Sequence, residues 1–250
     1  MRLFLSRLLL CVALVPMVAL GQEQRVRLQF SMTKIDTTVN ATPPAKVVRL
    51  MDTYRPKMTK KMMEVVGFAP VELRSFRPQS PLSNFAVDAL WNIAQKYSDE
   101  PVDFSVTNFG GLRASFPKGD VRLYDIYAVF PFENTLVIID LDGKEVKALF
   151  DRFVSGNRWE ALGNVEVEVT KGKISKLMIA GAPFDVNRRY RVATIDFLLG
   201  GGDGVAALQK AVKIQETGVM LRDVVIQYIS MLQSEGREID TTIDKRIVIK

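Results

Sequence analysis

Apolar residues recur along this chain at helical spacing in some stretches and in strand-like alternation in others, and the two kinds are mixed from end to end. Residues 25–30, "RVRLQF", alternate and predict an edge strand. A helical pattern follows at Val47, Met51, Tyr54, Met58 and Met62. Pro56 interrupts it and should kink the helix or start a second one, and the methionines read as core filler. "VVGFAPVEL" predicts a strand, and Ser83 is placed to cap a helix whose inner face is Phe85, Ala89, Leu90 and Ile93.

"VDFSVTN" predicts a buried strand that runs straight into "NFGGLR". A short helix near "LYDIYAV" precedes a strand, "NTLVIIDL", that stops at Asp142. Asp142 and Glu145 resemble a capping box, and Val146, Leu149, Phe150 and Phe153 form the stripe of the next helix. "VEVEVT" and "ISKLMI" predict a hairpin around the three-residue turn "KGK". "YRVATIDF" is a further strand, ending at a glycine loop. Leu221, Val224, Val225, Tyr228, Ile229 and Leu232 make an amphipathic helix, and "KRIVIK" closes the chain as a strand. The reading is therefore an α/β (α+β mixed) fold: a single domain with a mixed β-sheet flanked by helices.

The first 21 residues change the picture of where that domain works. Arg2 and Arg7 precede a leucine- and valine-rich run that ends in small residues at Ala19 and Gly21, the pattern of a signal peptide cleaved before Gln22. The expected organisation is residues 1–21 as signal peptide, 22–44 as strand and linker, and 45–250 as the domain, in the periplasm or secreted. No later stretch is apolar enough to predict a membrane span. Without Arg2 and Arg7 the net charge falls from +6 to about +4. Such weak basicity suits an anionic small ligand or a merely solvated surface. No basic stripe with interleaved aromatics marks a nucleic-acid track, so no nucleic-acid partner is expected.

Two absences exclude whole classes of chemistry. The lone cysteine, Cys11, lies in the signal, and the sequence has no histidine. No disulfide can form in the mature chain. A nucleophile system of the Ser-His-Asp or Cys-His kind is ruled out, and a catalytic transition-metal centre built by this chain alone is not expected.

Two strands end in glycine-rich loops, "NFGGLR" and "FLLGGGDG", and strand ends of this kind favour ligands. With Gly200 and Gly202 opening a dinucleotide fingerprint, its third glycine would fall on Val205, so that motif fails. The phosphate-loop pattern also fails, and Asp203 stands alone where a calcium loop needs several carboxylates. What remains is a pocket with flat walls. Phe132, in "VFPFENT", and Phe197, before the glycines, each offer a ring face on which a nucleobase can stack. An aspartate beside glycines can accept two hydrogen bonds from a ribose diol, and an arginine after a Gly-Gly turn can hold a phosphate. Core packing stays open for each ring at this point.

At these residues the chain resembles the C-terminal domain of the 5′-nucleotidase family, from about residue 45 to 210. The likeness is carried by four motifs in order: "SPLSNFAVDAL", "NFGGLRASFPKGDV", "LYDIYAVFPFENTLV" and "YRVATIDFLLGGGDG". It implies that Phe132 and Phe197 sandwich the base, that Asn108 touches the base edge or sugar, and that Asp203 takes the ribose hydroxyls. Arg113 would face the phosphate, and Arg77 would be a second arginine there, on a spacing one residue longer than usual. Gly110, Gly111, Gly201, Gly202 and Gly204 would supply the loop backbone.

The chain also departs from that family. Phe109 stands where the family has glycine, able to narrow the pocket or add a stacking face. Glu133 follows Phe132 and adds a charge that could disfavour anionic substrates, and Gly200 replaces an asparagine. The family's metallophosphatase half, with its aspartate, histidine and asparagine metal ligands, has no counterpart in the sequence. The resemblance thus implies the nucleotide-recognition part of a split 5′-nucleotidase, with no cofactor in this chain and the divalent metals on a separate metallophosphatase partner. The alternatives are a stand-alone extracytoplasmic nucleoside- or nucleotide-binding protein and a degenerate structural domain.

Overall fold

A computed structural model describes residues 29–32, 34, 44–239 and 242–250. The proposed signal peptide lies outside them, as does the 25–30 strand apart from Gln29 and Phe30, which are in no strand. Contacts divide the chain into two compact units, Met1–Val48 and Arg49–Lys250. In the first, residues 29–32 and 34 form neither helix nor strand, and the first residues of helix α1 (Ala45–Met62) begin at its end. All other elements belong to the second unit.

Helix α1 runs through Pro56 without a break, and none of its residues is buried. This corrects the reading of its methionines as core: Met51 and Met58 are exposed. Strand β1 (Val65–Ala69) pairs antiparallel with β3 (Gly119–Arg122) as a small ribbon. The rest of the strand expected at 65–73 is reduced to a single bridge between Leu73 and Phe116.

Helix α2 (Pro81–Ala94) starts one turn earlier than the Ser83 cap implied. Ser80 is the N-cap. Its hydroxyl accepts from the Ser83 N–H at 3.1 Å, and the Ser83 hydroxyl accepts from the Ser80 N–H at 2.8 Å. Pro81, with no N–H to satisfy, suits the first helical position. Phe85, Ala89, Leu90 and Ile93 are buried, as their spacing required.

The expected sheet is divided in two. A five-stranded sheet has the order β10 (Lys213–Met220), β4 (Thr135–Asp142), β9 (Arg189–Ile195), β2 (Phe104–Thr107) and β5 (Ala161–Gly163). It is mixed, since β2 runs parallel to β9 while its other pairings are antiparallel. In β4, Leu136 to Ile139 are all buried. Such a continuous apolar run means that both faces of the strand are covered. One cross-strand ion pair interrupts the apolar pattern: Arg191 on β9 forks onto Asp140 of β4 at 2.8 and 3.2 Å.

The second sheet has the order β11 (Ile247–Ile249), β6 (Val165–Thr170), β7 (Lys173–Ile179) and β8 (Ala182–Pro183). Its hairpin turn is the two residues Lys171 and Gly172, not three, because Thr170 and Lys173 are already paired. Both turn residues have positive φ, at 50° and 71°, which matches the right-handed strand twist.

Helix α3 (Leu123–Val129) leads through a loop into β4. Helix α4 (Gly143–Ser155) buries Val146, Leu149, Phe150 and Phe153 as expected, but Asp142 makes no side-chain cap. Instead its carboxylate accepts from Arg189 Nε at 3.0 Å, which ties the paired ends of β4 and β9. The strand expected through Phe197 stops at Ile195, and a single helical turn, α5 (Asp196–Leu199), carries Phe197. Helix α6 (Leu221–Ser234) packs its predicted face against α2 and the sheet. The fold class stands, with two mixed sheets in place of one.

Candidate functional site

Strand register brings the candidate residues together. In the antiparallel pair β4 and β9, Leu136 faces Ile195, so Phe132 and Phe197 extend beyond the same end of the sheet. Strand β2 runs parallel to β9 with Ser105 opposite Ala193, so Asn108, just past its last residue, emerges at that end too. Thr135 Oγ1 donates to Asp196 Oδ2 at 2.8 Å and fastens the start of β4 to the turn that holds Phe197. Three segments distant in sequence thus deliver their loops to one place.

Both rings are available there: Phe132 is 47% exposed and Phe197 44%. Core packing, the open alternative for each, does not account for them. The loop after Phe197 is shaped around its ring. A Cβ on Gly202 would lie 2.4 Å from Phe197 Cε1, so the ring rests on loop backbone that only glycine leaves bare. Gly201, Asp203 and Gly204 take the left-handed conformation, with φ of 90°, 51° and 69°.

That geometry lifts Asp203 toward the first loop, where Asn108 Nδ2 donates to Asp203 Oδ2 at 2.7 Å. Phe109–Gly111 form a single 3-10 turn after Asn108. A Cβ on Gly111 would meet Asn108 Oδ1 at 2.8 Å, so the bare glycine gives the amide room. Asn108 is buried, and its Oδ1 has no hydrogen-bond partner among the described residues. A buried amide oxygen of this kind is an acceptor waiting for a donor.

Arg113 projects into solvent, with Nη1 3.5 Å from the Gly110 carbonyl. Arg77 is half exposed, yet its guanidinium is engaged by neighbouring groups. Its Nε donates to the Trp159 carbonyl at 2.9 Å, its guanidinium lies 4.7 Å from the centre of the Phe109 ring, and Nη2 is 3.6 Å from Glu160. Phe109 is buried against Val87 and Ala161 and offers no stacking face, contrary to one expectation for it. Glu133 is paired with Arg222 at 3.6 Å, which opposes the negative charge it adds beside Phe132.

Two contributors escaped the sequence reading. Arg152, on α4, donates from Nη2 to the Asp203 carbonyl and so braces the glycine loop. Glu160 is buried and accepts from the Phe109 N–H at 2.9 Å, bracing the other loop. Burial pushes the Glu160 carboxyl above its ordinary value. The Phe109 N–H and Arg77 oppose this, the Asp203 charge adds to it, and Arg152 opposes it again. Arg77, Arg152, Arg158, Glu160 and Asp203 line a cleft of about 370 Å³ beside the loops. A carboxylate inside the apolar stretch "WEALG" was the available signal for Glu160; no local pattern marks Arg152. Among the described residues no group of three or more acidic, cysteine or histidine side chains is placed to hold a metal ion.

The chain that carries this arrangement is similar to known proteins. Residues 65–210 match the family described as 5′-nucleotidase, C-terminal domain. The chain belongs to that family. Protein UshA of Yersinia enterocolitica is 34% identical over 131 residues, covering 51% of this chain and 24% of that protein. The trifunctional nucleotide phosphoesterase protein YfkN of Bacillus subtilis is 26% identical over 247 residues, covering 91% of this chain and 16% of its own length. Among solved structures, the 5′-nucleotidase precursor of Thermus thermophilus superposes with a TM-score of 0.68 at 26% identity. It covers 81% of this chain and 42% of that one. The family domain here therefore spans a quarter or less of these curated relatives and under half of the Thermus chain. Three of the four sequence motifs supply the loops that make the site, and the first supplies helix α2, whose Val87 packs with Phe109.

Proposed function

We propose that this domain recognises the nucleoside part of a nucleotide, and that hydrolysis of the phosphate ester is performed by a metallophosphatase that these 250 residues do not supply. The observation that carries the reading is the convergence of Phe132, Phe197, Asn108 and Asp203 at one sheet end, with Gly202 leaving space for the Phe197 ring. A base stacked between the two rings gains about 1 to 3 kcal/mol. Ribose hydroxyls donate to the Asp203 carboxylate, which Asn108 holds in place through Nδ2 at the edge of the sugar. Arg113, exposed at the rim, reaches for the phosphate. Arg77, held by Trp159 and Phe109, acts as a more rigid part of the same wall.

The metals belong to the partner in this reading: the sequence has no histidine. The partner is a separately produced metallophosphatase. Export through the N-terminal signal puts this chain in the periplasm or outside the cell, and the partner must be exported there as well. No helix among the described residues is long and apolar enough to cross a membrane. The experiment is calorimetric titration of the chain with adenosine and with AMP, beside Phe197→Ala. Saturable binding that the substitution weakens by about 1 kcal/mol or more is expected. A folded chain that binds neither ligand removes the reading and leaves a structural domain.

A further inference from the structure

Helix α1 is amphipathic, yet none of its residues is buried, and its apolar face is left exposed among the described residues. Leu50, Met51, Tyr54 and Met58 lie along one side and are each 50 to 60% exposed. With Arg55 and Thr59 they border a shallow depression of about 390 Å³. The helix carries Lys46, Arg49, Arg55, Lys57, Lys60 and Lys61 against the single acidic residue Asp52, which sits 3.4 Å from Arg55. An isolated helix of this length is marginal in water even for good sequences. Pro56 removes one of its backbone hydrogen bonds as well. Burial of the apolar face is what such a helix lacks.

The comparisons indicate what covers it. The 5′-nucleotidase precursor of Thermus thermophilus matches 81% of this chain, more than the stretch from Val65 to Lys250 amounts to, so part of the match precedes Val65, where α1 is the one helix or strand among the described residues. Under half of that enzyme is matched. Because the family is a C-terminal domain, the unmatched remainder lies on the N-terminal side, where α1 is the nearest element. We infer that the Leu50–Met51–Tyr54–Met58 face of α1 is the docking surface for the metallophosphatase partner, which presents an apolar groove with an acidic rim. The inference rests on the two-component reading above and adds the surface through which the components join. A second copy of this chain is a poorer occupant, since the two helices would bring like charges together.

The test uses the chain and a metallophosphatase-domain protein of the same genome that lacks a nucleoside-binding domain of its own. Complex formation is followed by sedimentation and AMP hydrolysis by phosphate release. A one-to-one complex that hydrolyses AMP is expected. The triple variant Met51→Ala, Tyr54→Ala, Met58→Ala keeps good helix formers on α1 and should weaken the complex tenfold or more. Its affinity for adenosine should match the unaltered chain. Phe197→Ala should do the reverse, losing adenosine while keeping the complex, so failure of the docking surface and failure of the nucleoside site are read separately. Undiminished assembly by the triple variant overturns the inference. So does the absence of any such partner that binds. Dimerisation of the chain through this face, or its flotation with phosphatidylglycerol vesicles in a manner the triple variant abolishes, would assign the surface to another occupant.

Discussion

Gly202→Ala separates the ligand role proposed for the glycine loop from its structural role. The added Cβ would sit 2.4, 2.5 and 2.6 Å from three carbons of the Phe197 ring. Carbon atoms rest at about 3.5 to 4.0 Å, so the ring must retreat by about 1 Å or more. It has somewhere to go, because Phe197 is nearly half exposed, and Gly202 itself is not in the left-handed region. Folding stability should therefore change little. Loss of unfolded-state freedom contributes about 0.4 to 1 kcal/mol in favour of the variant, against the cost of moving one surface ring. Binding should suffer, because stacking worth about 1 to 3 kcal/mol depends on where that ring lies, a loss of about 5- to 150-fold in adenosine affinity. Calorimetric titration gives the affinity and scanning calorimetry the stability. Unchanged adenosine affinity in a well-folded variant would refute the role given to the ring and its glycine.

Other perturbations follow from the same geometry. Asn108→Ala removes the donor that holds the Asp203 carboxylate at 2.7 Å and should lower adenosine affinity more than adenine affinity, as paired titrations would show. Because burial raises the Glu160 carboxyl above 4.5, the unfolded chain releases that proton first, and stability should fall as pH rises from about 4.5 through the folded value. Glu160→Gln keeps an acceptor for the Phe109 N–H and should flatten that part of the profile of melting temperature against pH. Arg191→Met leaves Asp140 nearly buried without its forked partner and should cost about 3 to 5 kcal/mol in urea unfolding, with no direct effect on the nucleoside site.

The sequence made most strands and helices legible because their apolar periods are long and unambiguous. Leu221, Val224, Val225, Tyr228, Ile229 and Leu232, and the run Leu136 to Ile139, are buried as their spacing demands. Local chemistry with two solutions was less readable. Ser80 and Ser83 are both plausible caps, and only Pro81 between them points to the first. Asp142 had the right neighbour for a capping box, yet a cross-strand arginine claimed its carboxylate. Helical spacing announced an apolar face on α1 but could not say that the face is exposed. Phe132, Phe197 and Asp203 stood out as ring faces and an aspartate beside glycine loops, Asn108 came only through resemblance to a family, and strand register then brought the four to one sheet end. Arg152 and Glu160 act across 51 residues each, on the Asp203 carbonyl and the Phe109 N–H, and such closures leave no local trace.

The central claim is that this domain holds a nucleoside between two phenylalanines. A crystal structure of the chain at saturating adenosine tests it most directly. The account predicts adenine between the rings of Phe132 and Phe197, with the ribose hydroxyls within hydrogen-bond distance of the Asp203 carboxylate. Adenine bound elsewhere, or loops that stay empty at saturation, would contradict it.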